Sequence, residues 1–153
     1  MSDSHRTSSL PPWLGTILGQ RGVSPDVGLL LLRLSVGLTM AFAHGLGKVP
    51  VSDGFVRGVA EMGFPMPSLF AWSAALSELV GGIFIAAGLL TRPSSVLLLA
   101  TMAVAVFVRH ANDPFAKQEL GLLYGAACIA IAVAGPGRFS VDALLGRRFT
   151  RAG

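Results

Sequence analysis

The sequence predicts an all-α protein: an integral membrane four-helix bundle with short interfacial helices. Of its 153 residues, 52% are hydrophobic and 13% are charged. That charged share is about half of the roughly 25% found in ordinary soluble domains. The apolar residues are also gathered into four long blocks, whereas a soluble helix repeats them on one face. Composition and pattern together indicate that lipid surrounds most of the chain.

The first two apolar blocks are long enough to cross a bilayer. The first covers residues 27–47 and is interrupted only by Arg33 and His44. The second covers residues 69–90 and is interrupted by Glu78. A spanning helix needs roughly 20 mostly apolar residues, with about 17 as the lower limit. Each block therefore predicts one transmembrane helix.

The last two apolar blocks are shorter, at residues 94–108 and 120–134. They reach spanning length only if their flanks join the helix, which extends them to residues 93–110 and 118–135. Core helices of soluble proteins can also be this short. Four such blocks in one small chain favour the membrane interpretation.

The remaining segments predict short helices at the membrane surface. Residues 1–24 form a polar N-terminal tail with a candidate interfacial segment, and residues 25–135 form the four-helix transmembrane domain. In the loop after the first helix, Phe55, Val59 and Met62 share one helical face, which predicts an amphipathic lid helix. Residues 136–153 are predicted to form a cytoplasmic interfacial segment.

The distribution of basic residues predicts the orientation in the plasma membrane. With four spans, both termini lie on one side, and that side has an excess of arginine. Its basic residues are Arg6, Arg21, Arg92, Arg138, Arg147, Arg148 and Arg151. The positive-inside rule then places both termini in the cytoplasm. No basic stripe is interleaved with aromatic residues, so nothing indicates nucleic acid as a partner.

Two charged residues interrupt the apolar blocks at depth. A lone charge inside a membrane helix is costly, and such residues normally face the bundle interior and pair. We therefore predict a structural pair between Arg33 and Glu78. The alternative is that Arg33 extends to the nearer membrane surface. Either a brace or a role in proton handling is compatible with the pair.

A second polar set is predicted to converge at the end of the bundle away from the termini. His110 and Glu119 are the candidate catalytic residues, because histidine and glutamate exchange protons readily. His44, Lys48 and Arg109 are the candidate ligand-binding residues, which would hold a quinone carbonyl or an anion. The alternative is that these side chains only anchor the helix ends at the interface.

The sequence contains no motif for a covalently bound cofactor or a metal. Cys128 is the single cysteine, so the chain alone cannot perform dithiol–disulfide exchange, and we predict that it is a small core residue. His44 and His110 are the only basis for an axial haem site, and haem is not favoured on that basis. No known metal-ligand spacing is present.

Several short motifs occur in a characteristic order. RLSVG at residues 33–37 is followed by HGLGK at residues 44–48 and by ELVGG at residues 78–82. Glu119 then opens the fourth apolar block, and GPG at residues 135–137 closes it. In this order and spacing, the sequence resembles the DoxX family of four-helix bacterial and archaeal membrane proteins.

The resemblance implies a four-helix bundle in a membrane redox setting. The family takes its name from the small subunit of a thiosulfate:quinone oxidoreductase. The expected function is therefore a membrane subunit of a quinone-linked oxidoreductase, connected with a sulfur compound or with redox stress. Its partners would be other redox subunits or a second copy, in contact with the lipid bilayer. The alternative is a non-enzymatic scaffold or anchor that recruits partner proteins, and whether the chain is an enzyme stays open.

Overall fold

The structure, a computed structural model, describes Trp13 and residues 24–151, and the predicted tail of residues 1–24 lies outside it apart from Trp13 and Ser24. The described chain folds into six main helices, which we number in chain order. They are α1 (Pro25–Lys48), α2 (Asp53–Glu61), α3 (Pro67–Ala87), α4 (Thr91–Arg109), α5 (Phe115–Ala134) and α6 (Val141–Arg151).

Helices α1, α3, α4 and α5 are long and apolar enough to cross a membrane, with 24, 21, 19 and 20 residues. This confirms the predicted all-helical membrane fold, including the need for the last two blocks to recruit their flanks. Large apolar side chains face outward: Phe107 is 70% exposed and Val133 is 77% exposed. Such outer surfaces suit lipid, which solvates apolar side chains as well as a protein core does.

Helices α1 and α3 approach closely because glycines line both sides of their contact. A Cβ atom on Gly37 would overlap the carbonyl oxygen of Gly82 and would lie 2.6 Å from the Ala86 nitrogen. Further along, a Cβ atom on Gly45 would lie 2.5 Å from the Leu79 nitrogen. Small residues at such contacts let helix backbones pack tightly in lipid. This contact fixes which residue of α1 faces which residue of α3.

An apolar layer crosses the middle of the bundle. It consists of Val36, Ile85, Leu98, Cys128 and Ile131, each at most 7% exposed. The residues come from all four spanning helices, so the layer seals the space between them. The burial of Cys128 confirms that it is a core residue. The apolar layer divides the polar groups of the bundle into two separate regions.

The first polar region lies at the end that holds the start of α1 and the end of α5, which we call the terminal end. Here Asp142 accepts hydrogen bonds from the backbone nitrogens of Leu90 (2.8 Å) and Thr91 (3.0 Å) and from the Thr91 hydroxyl (2.8 Å). These bonds satisfy free N–H groups at the start of α4. The Asp142 nitrogen donates to the carbonyl of Gly88 at 2.9 Å. Asp142 therefore fastens α6 to the bundle.

The structure contradicts the predicted pair between Arg33 and Glu78. Arg33 is buried at the terminal end, where its Nη2 donates to the carbonyl of Phe139 at 2.5 Å. Its guanidinium lies against Gly88, whose φ of +70° and missing Cβ leave room for it. Gly88 comes ten residues after Glu78, or about 15 Å along the helix direction at 1.5 Å per residue. Because the α1–α3 contact fixes this offset, the two side chains cannot meet.

We expect replacement of Asp142 by alanine to loosen the C-terminal segment, at a cost of about 1 kcal/mol. Partial burial acts to raise the pKa of Asp142, but the hydrogen bonds from Thr91 and Leu90 and the charge of Arg33 hold that pKa below its usual range. The stabilisation is therefore present above the unfolded pKa of about 3.9 and is lost as the pH falls below it.

Limited proteolysis measures this effect, because Arg147 and Arg148 are exposed cleavage sites on α6. Trypsin at neutral pH should cut Asp142→Ala faster than the wild type, and an acid-active protease should cut the wild type faster at pH 3 than at pH 5. Asp53→Ala at the opposite end of the bundle serves as the control. Equal cleavage of Asp142→Ala and wild type would show that Asp142 does not hold α6.

Candidate functional site

The second polar region surrounds a cavity in the other half of the bundle. The cavity has a volume of about 170 Å³ and is partly open. Apolar side chains from α1, α4 and α5 form its walls, among them Met40, Met102, Val106 and Leu120. Six polar or charged side chains also line it: His44, Lys48, Glu78, His110, Lys117 and Tyr124. The site is thus an apolar space with several polar groups directed at one volume.

Three of the spanning helices change to π-helical geometry at the level of the cavity. The π segments are Met40–Gly45 in α1, Ser77–Gly81 in α3 and Ala105–Arg109 in α4. A π turn holds an extra residue, is rare, and occurs mostly as a local bulge at functional sites. Each segment contributes cavity residues, such as His44 and Glu78. The local change in helical geometry therefore shapes the cavity.

Glu78 is paired with Lys48 at the cavity wall. The Lys48 ammonium lies 2.6 Å from Oε1 and 2.5 Å from Oε2 of Glu78. Only 4% of the Glu78 side chain is exposed, against 35% for Lys48. The absence of a side chain on Gly45 permits this approach, since a Cβ there would lie 2.8 Å from the carbonyl carbon of Glu78. Lys48, and not Arg33, is therefore the counter-ion of the buried carboxylate.

The short helix α2 covers this ion pair. It matches the predicted amphipathic helix, and its Val59 is buried. The Lys48 ammonium lies 5.6 Å from the centre of the Phe55 ring, within range of a cation–π interaction. The Ser52 hydroxyl caps the helix by accepting from the Phe55 nitrogen at 3.2 Å. Helix α2 therefore places an aromatic ring over the exposed side of Lys48.

His44 and Tyr124 also line the cavity, where they contact each other. Their rings make an edge-to-face contact with centroids 5.6 Å apart and an interplanar angle of 80°. In the part of the chain that the structure describes, neither the imidazole nitrogens of His44 nor the Tyr124 hydroxyl make a protein hydrogen bond. Tyr124 was not among the predicted site residues, because it lies within an apolar block. The one feature that could have indicated it is its phenolic hydroxyl in an otherwise apolar helix. The two side chains leave polar atoms available to a ligand.

His110 stands at the mouth of the cavity and is bound to Asp113. The His110 Nδ1 lies 2.7 Å from Asp113 Oδ2. This hydrogen bond, together with the nearby charge of Lys117, holds the pKa of Asp113 below its usual range. The Gln118 amide donates to the carbonyls of His110 (2.7 Å) and Asp113 (3.2 Å). The loop between α4 and α5 is thus braced around the imidazole.

The structure brings together only part of the predicted polar set. His44, Lys48 and His110 all line the cavity, as predicted. Arg109 and Glu119 have exposed side chains outside the cavity lining, so the structure does not bring them together with these three residues, and their predicted roles stay predictions. Successive helical residues differ by about 100° in direction, so the residue beside a lining residue points elsewhere. Among the described residues, no group of three or more metal-ligating side chains is present.

Comparison with known proteins identifies relatives of this chain. The profile of the DoxX family matches residues 28–111. The chain is 31% identical over 118 residues to "Putative oxidoreductase CatD" of Bacillus subtilis, covering 76% of this chain and 86% of the relative. It is 32% identical over 130 residues to inner membrane protein YphA of Escherichia coli, and the match covers 79% of this chain and 92% of the relative. It is 31% identical over 163 residues to the uncharacterized membrane protein Rv3486 of Mycobacterium tuberculosis, and the match covers 95% of this chain and 96% of the relative. No solved structure matches the chain.

Proposed function

The chain belongs to the DoxX family, and on that premise we propose that it is the membrane subunit of a quinone-linked oxidoreductase whose cavity receives the quinone headgroup. The observation that carries the proposal is the cavity itself: an apolar space in a membrane bundle, lined by polar groups of which His44 and Tyr124 make no hydrogen bond within the described part of the chain. The name of the relative CatD, which contains the word oxidoreductase, supports the same class of reaction.

The donor set suits a quinone headgroup. A quinone is a flat apolar ring with two carbonyl oxygens, so its site needs apolar walls and hydrogen-bond donors at the ring edge. Met40, Met102 and Val106 supply apolar walls. The Tyr124 hydroxyl and the His44 imidazole supply donors, and the Lys48 ammonium, paired with Glu78, also lines the cavity. Sites of this kind, mostly apolar with a few placed polar groups, are typical of small-molecule binding.

The reaction requires two electrons and two protons for each quinone reduced to a quinol. The electrons would come from a partner subunit that carries a redox group. The protons would come from the ionisable groups of the cavity, chiefly His110. This assigns the residues of the chain to binding, orientation and proton supply, with Glu78 and Lys48 fixing the charge at the cavity wall.

We also propose that the termini lie in the cytoplasm, from the arginine excess on that side. The cavity would then open toward the outer face of the plasma membrane. A reporter fused after Gly153 tests this: a reporter active only in the cytoplasm should function there, and one active only outside should not. The opposite pattern would reverse the orientation.

Quinone binding is the direct test of the function. Replacing Tyr124 by phenylalanine together with His44 by alanine should weaken binding of a short-chain quinone at least tenfold. Two hydrogen bonds of about 1 kcal/mol each are lost, and 1.4 kcal/mol corresponds to a factor of ten. The measurement is photolabelling of the purified protein by a short-chain azidoquinone, as a function of quinone concentration.

Ser73→Ala is the matched control for the loss of a hydroxyl. Ser73 is exposed on α3, outside the cavity lining, and its hydroxyl donates only to the Leu69 carbonyl of its own helix at 2.8 Å. Its labelling should equal that of the wild type. If wild-type protein is not labelled above the level of an unrelated membrane protein, the cavity does not bind quinones.

One observation favours the alternative of a scaffold. Helix α5 is the least buried of the four spanning helices, with 17% of its most apolar window buried inside the structure. It exposes Leu123 and Ile129, which are 67% and 51% exposed. A scaffold function would predict that the cavity variants leave complex formation unchanged, while bulky polar replacements at Leu123 and Ile129 abolish it. Co-purification of partner proteins with each set of variants separates the two functions.

A further inference from the structure

A polar route from the cavity to water passes through the loop between α4 and α5. His110 lines the cavity while its side chain is 33% exposed, and Asp113 beside it is 32% exposed in that loop. From this placement we infer that His110 and Asp113 form the proton port of the cavity, which exchanges protons with the aqueous phase at the end of the bundle opposite to the termini. The inference rests on the proposed function and adds the side of the bundle from which the protons for quinone reduction come.

The geometry of the pair gives each residue a separate role. The Asp113 carboxylate is ionised at neutral pH, because its hydrogen bond with His110 and the charge of Lys117 hold its pKa below the usual range. An ionised carboxylate can only accept, so Nδ1 of His110 carries the hydrogen of the 2.7 Å bond. The other ring nitrogen, Nε2, is then left to exchange a proton with the cavity. His110 is the group that transfers protons, and Asp113 is a positioning residue.

The remaining charged and titratable groups around His110 are consistent with this role. Lys117 of α5 lies 3.7 Å from the other oxygen of Asp113. Across the cavity, Glu78 is neutralised by its ion pair with Lys48. His44 and Tyr124 share the cavity lining with His110. The described lining contains two histidines, His44 and His110, and of these two His110 is the one hydrogen-bonded to a carboxylate.

The opposite direction is closed by the apolar layer. Below Met40, which lines the cavity, Val36 is 7% exposed and Leu98 and Ile131 are completely buried. The next buried polar side chain along α1 is Arg33, seven residues from Met40, or about 10 Å at 1.5 Å per residue, since Ser35 and Thr39 are exposed. Arg33 is bound to the C-terminal segment and not to the cavity. A proton leaving the cavity therefore meets an apolar barrier toward the terminal end.

The transfer balances with the proposed reaction. When a carbonyl oxygen of the quinone gains negative charge from the electron donor, a His110 that carries hydrogens on both ring nitrogens gives up the one on Nε2: the N–H bond breaks and an O–H bond forms. Nε2 then takes a proton from water at the mouth, while Nδ1 keeps its hydrogen and Asp113 stabilises the positive imidazole. Two such passes supply the two protons that accompany the two electrons. All protons are drawn from the aqueous phase at the His110 end.

The pH dependence of quinone binding tests the port, because a protonated His110 donates to a quinone carbonyl. Azidoquinone labelling should depend on pH, and Asp113→Asn should change that dependence, because the substitution removes the carboxylate that is hydrogen-bonded to Nδ1 of His110. His110→Gln should reduce the pH dependence while still allowing labelling. Glu61→Gln, an exposed carboxylate on α2, is the matched control and should keep the wild-type profile.

The side of the membrane is tested in proteoliposomes with the protein inserted in one orientation. That orientation is assigned by trypsin cleavage at the C-terminal arginines. Changing the pH on the His110 side should change the labelling, and changing it on the terminal side should not. A response to the terminal side, or an unchanged profile in Asp113→Asn, would refute the port while the quinone site stands. Absence of labelling at every pH would refute the proposed function and the port with it.

Discussion

Replacing Lys48 by methionine is expected to lower the free energy of unfolding by about 3 kcal/mol. The change removes the counter-ion of Glu78, whose side chain is 4% exposed. Breaking a buried ion pair on one side is costly because it leaves an uncompensated charge in a medium that solvates it poorly. Methionine retains most of the volume and the flexible stem of lysine, so the loss reports on charge and not on packing. Urea unfolding in detergent, followed by circular dichroism, measures it.

The double variant Lys48→Met, Glu78→Leu separates stability from function. Replacing both charges by apolar residues of similar size is often neutral or stabilising, so its stability should lie within about 1 kcal/mol of the wild type. Quinone labelling should nevertheless be weaker than in the wild type, because the Lys48 ammonium no longer lines the cavity. A double variant as unstable as the single one would show that the two charges are not coupled.

Lys117→Met is the matched control for the loss of a lysine. Lys117 lies at the same end of the bundle, but its side chain is 63% exposed and its contact with Asp113 is 3.7 Å long. Exposed ion pairs contribute about 0–1 kcal/mol. A loss with Lys117→Met as large as with Lys48→Met would point to a general effect of net charge.

Replacing Gly82 by alanine is expected to lower the free energy of unfolding by about 2 kcal/mol, as overpacking in a tight interface does. A Cβ atom there would lie 2.7 Å from the Gly37 carbonyl oxygen and 2.9 Å from the Ala41 nitrogen. Both are backbone atoms, so no side-chain rotation relieves the overlap and the two helices must separate. Van der Waals contact, the main attraction between helices in lipid, is then lost along the α1–α3 contact.

Gly81→Ala is a closely matched control, one residue earlier in the same helix. Its new Cβ would come no closer than 3.9 Å to the Ser94 carbonyl oxygen, which is an ordinary contact. Both replacements bring the same gain in helix propensity, about 1 kcal/mol. Gly81→Ala should therefore be neutral or stabilising. Similar results for the two variants would contradict the close approach of α1 and α3. Unfolding in detergent measures both.

The sequence predicts the presence of small residues at helix contacts but does not select the pair that matters. Residues 121–125 carry the GxxxG spacing, yet a Cβ on Gly121 would meet a side-chain atom of Val106, at 2.6 Å, and a Cβ on Gly125 would make an ordinary 3.6 Å contact with Leu99. The close contact between helix backbones uses Gly37 and Gly82 on different helices. Spacing within one helix cannot reveal this, because the contact depends on which faces of two helices meet.

The candidate site was also predictable from the sequence only in part. His44, Lys48 and His110 were predictable as polar interruptions near helix ends. Tyr124 and Asp113 carry no comparable signal, because one lies inside an apolar block and the other in a loop. The π segments have no recognisable sequence pattern, and the direction in which residues after them point cannot be derived from a regular 3.6-residue period.

The sequence by itself determined the number of spanning helices, because lipid selects for long apolar blocks whatever their arrangement. It also determined that buried charges must have partners, since an isolated charge in lipid is too costly. Only the tertiary structure decided which partners these are. The glycine contact between α1 and α3 sets their offset, and that offset places Lys48 beside Glu78 and Arg33 beside the C-terminal segment. The pairing of charges therefore follows from helix register, a property of two helices together that neither sequence segment contains alone.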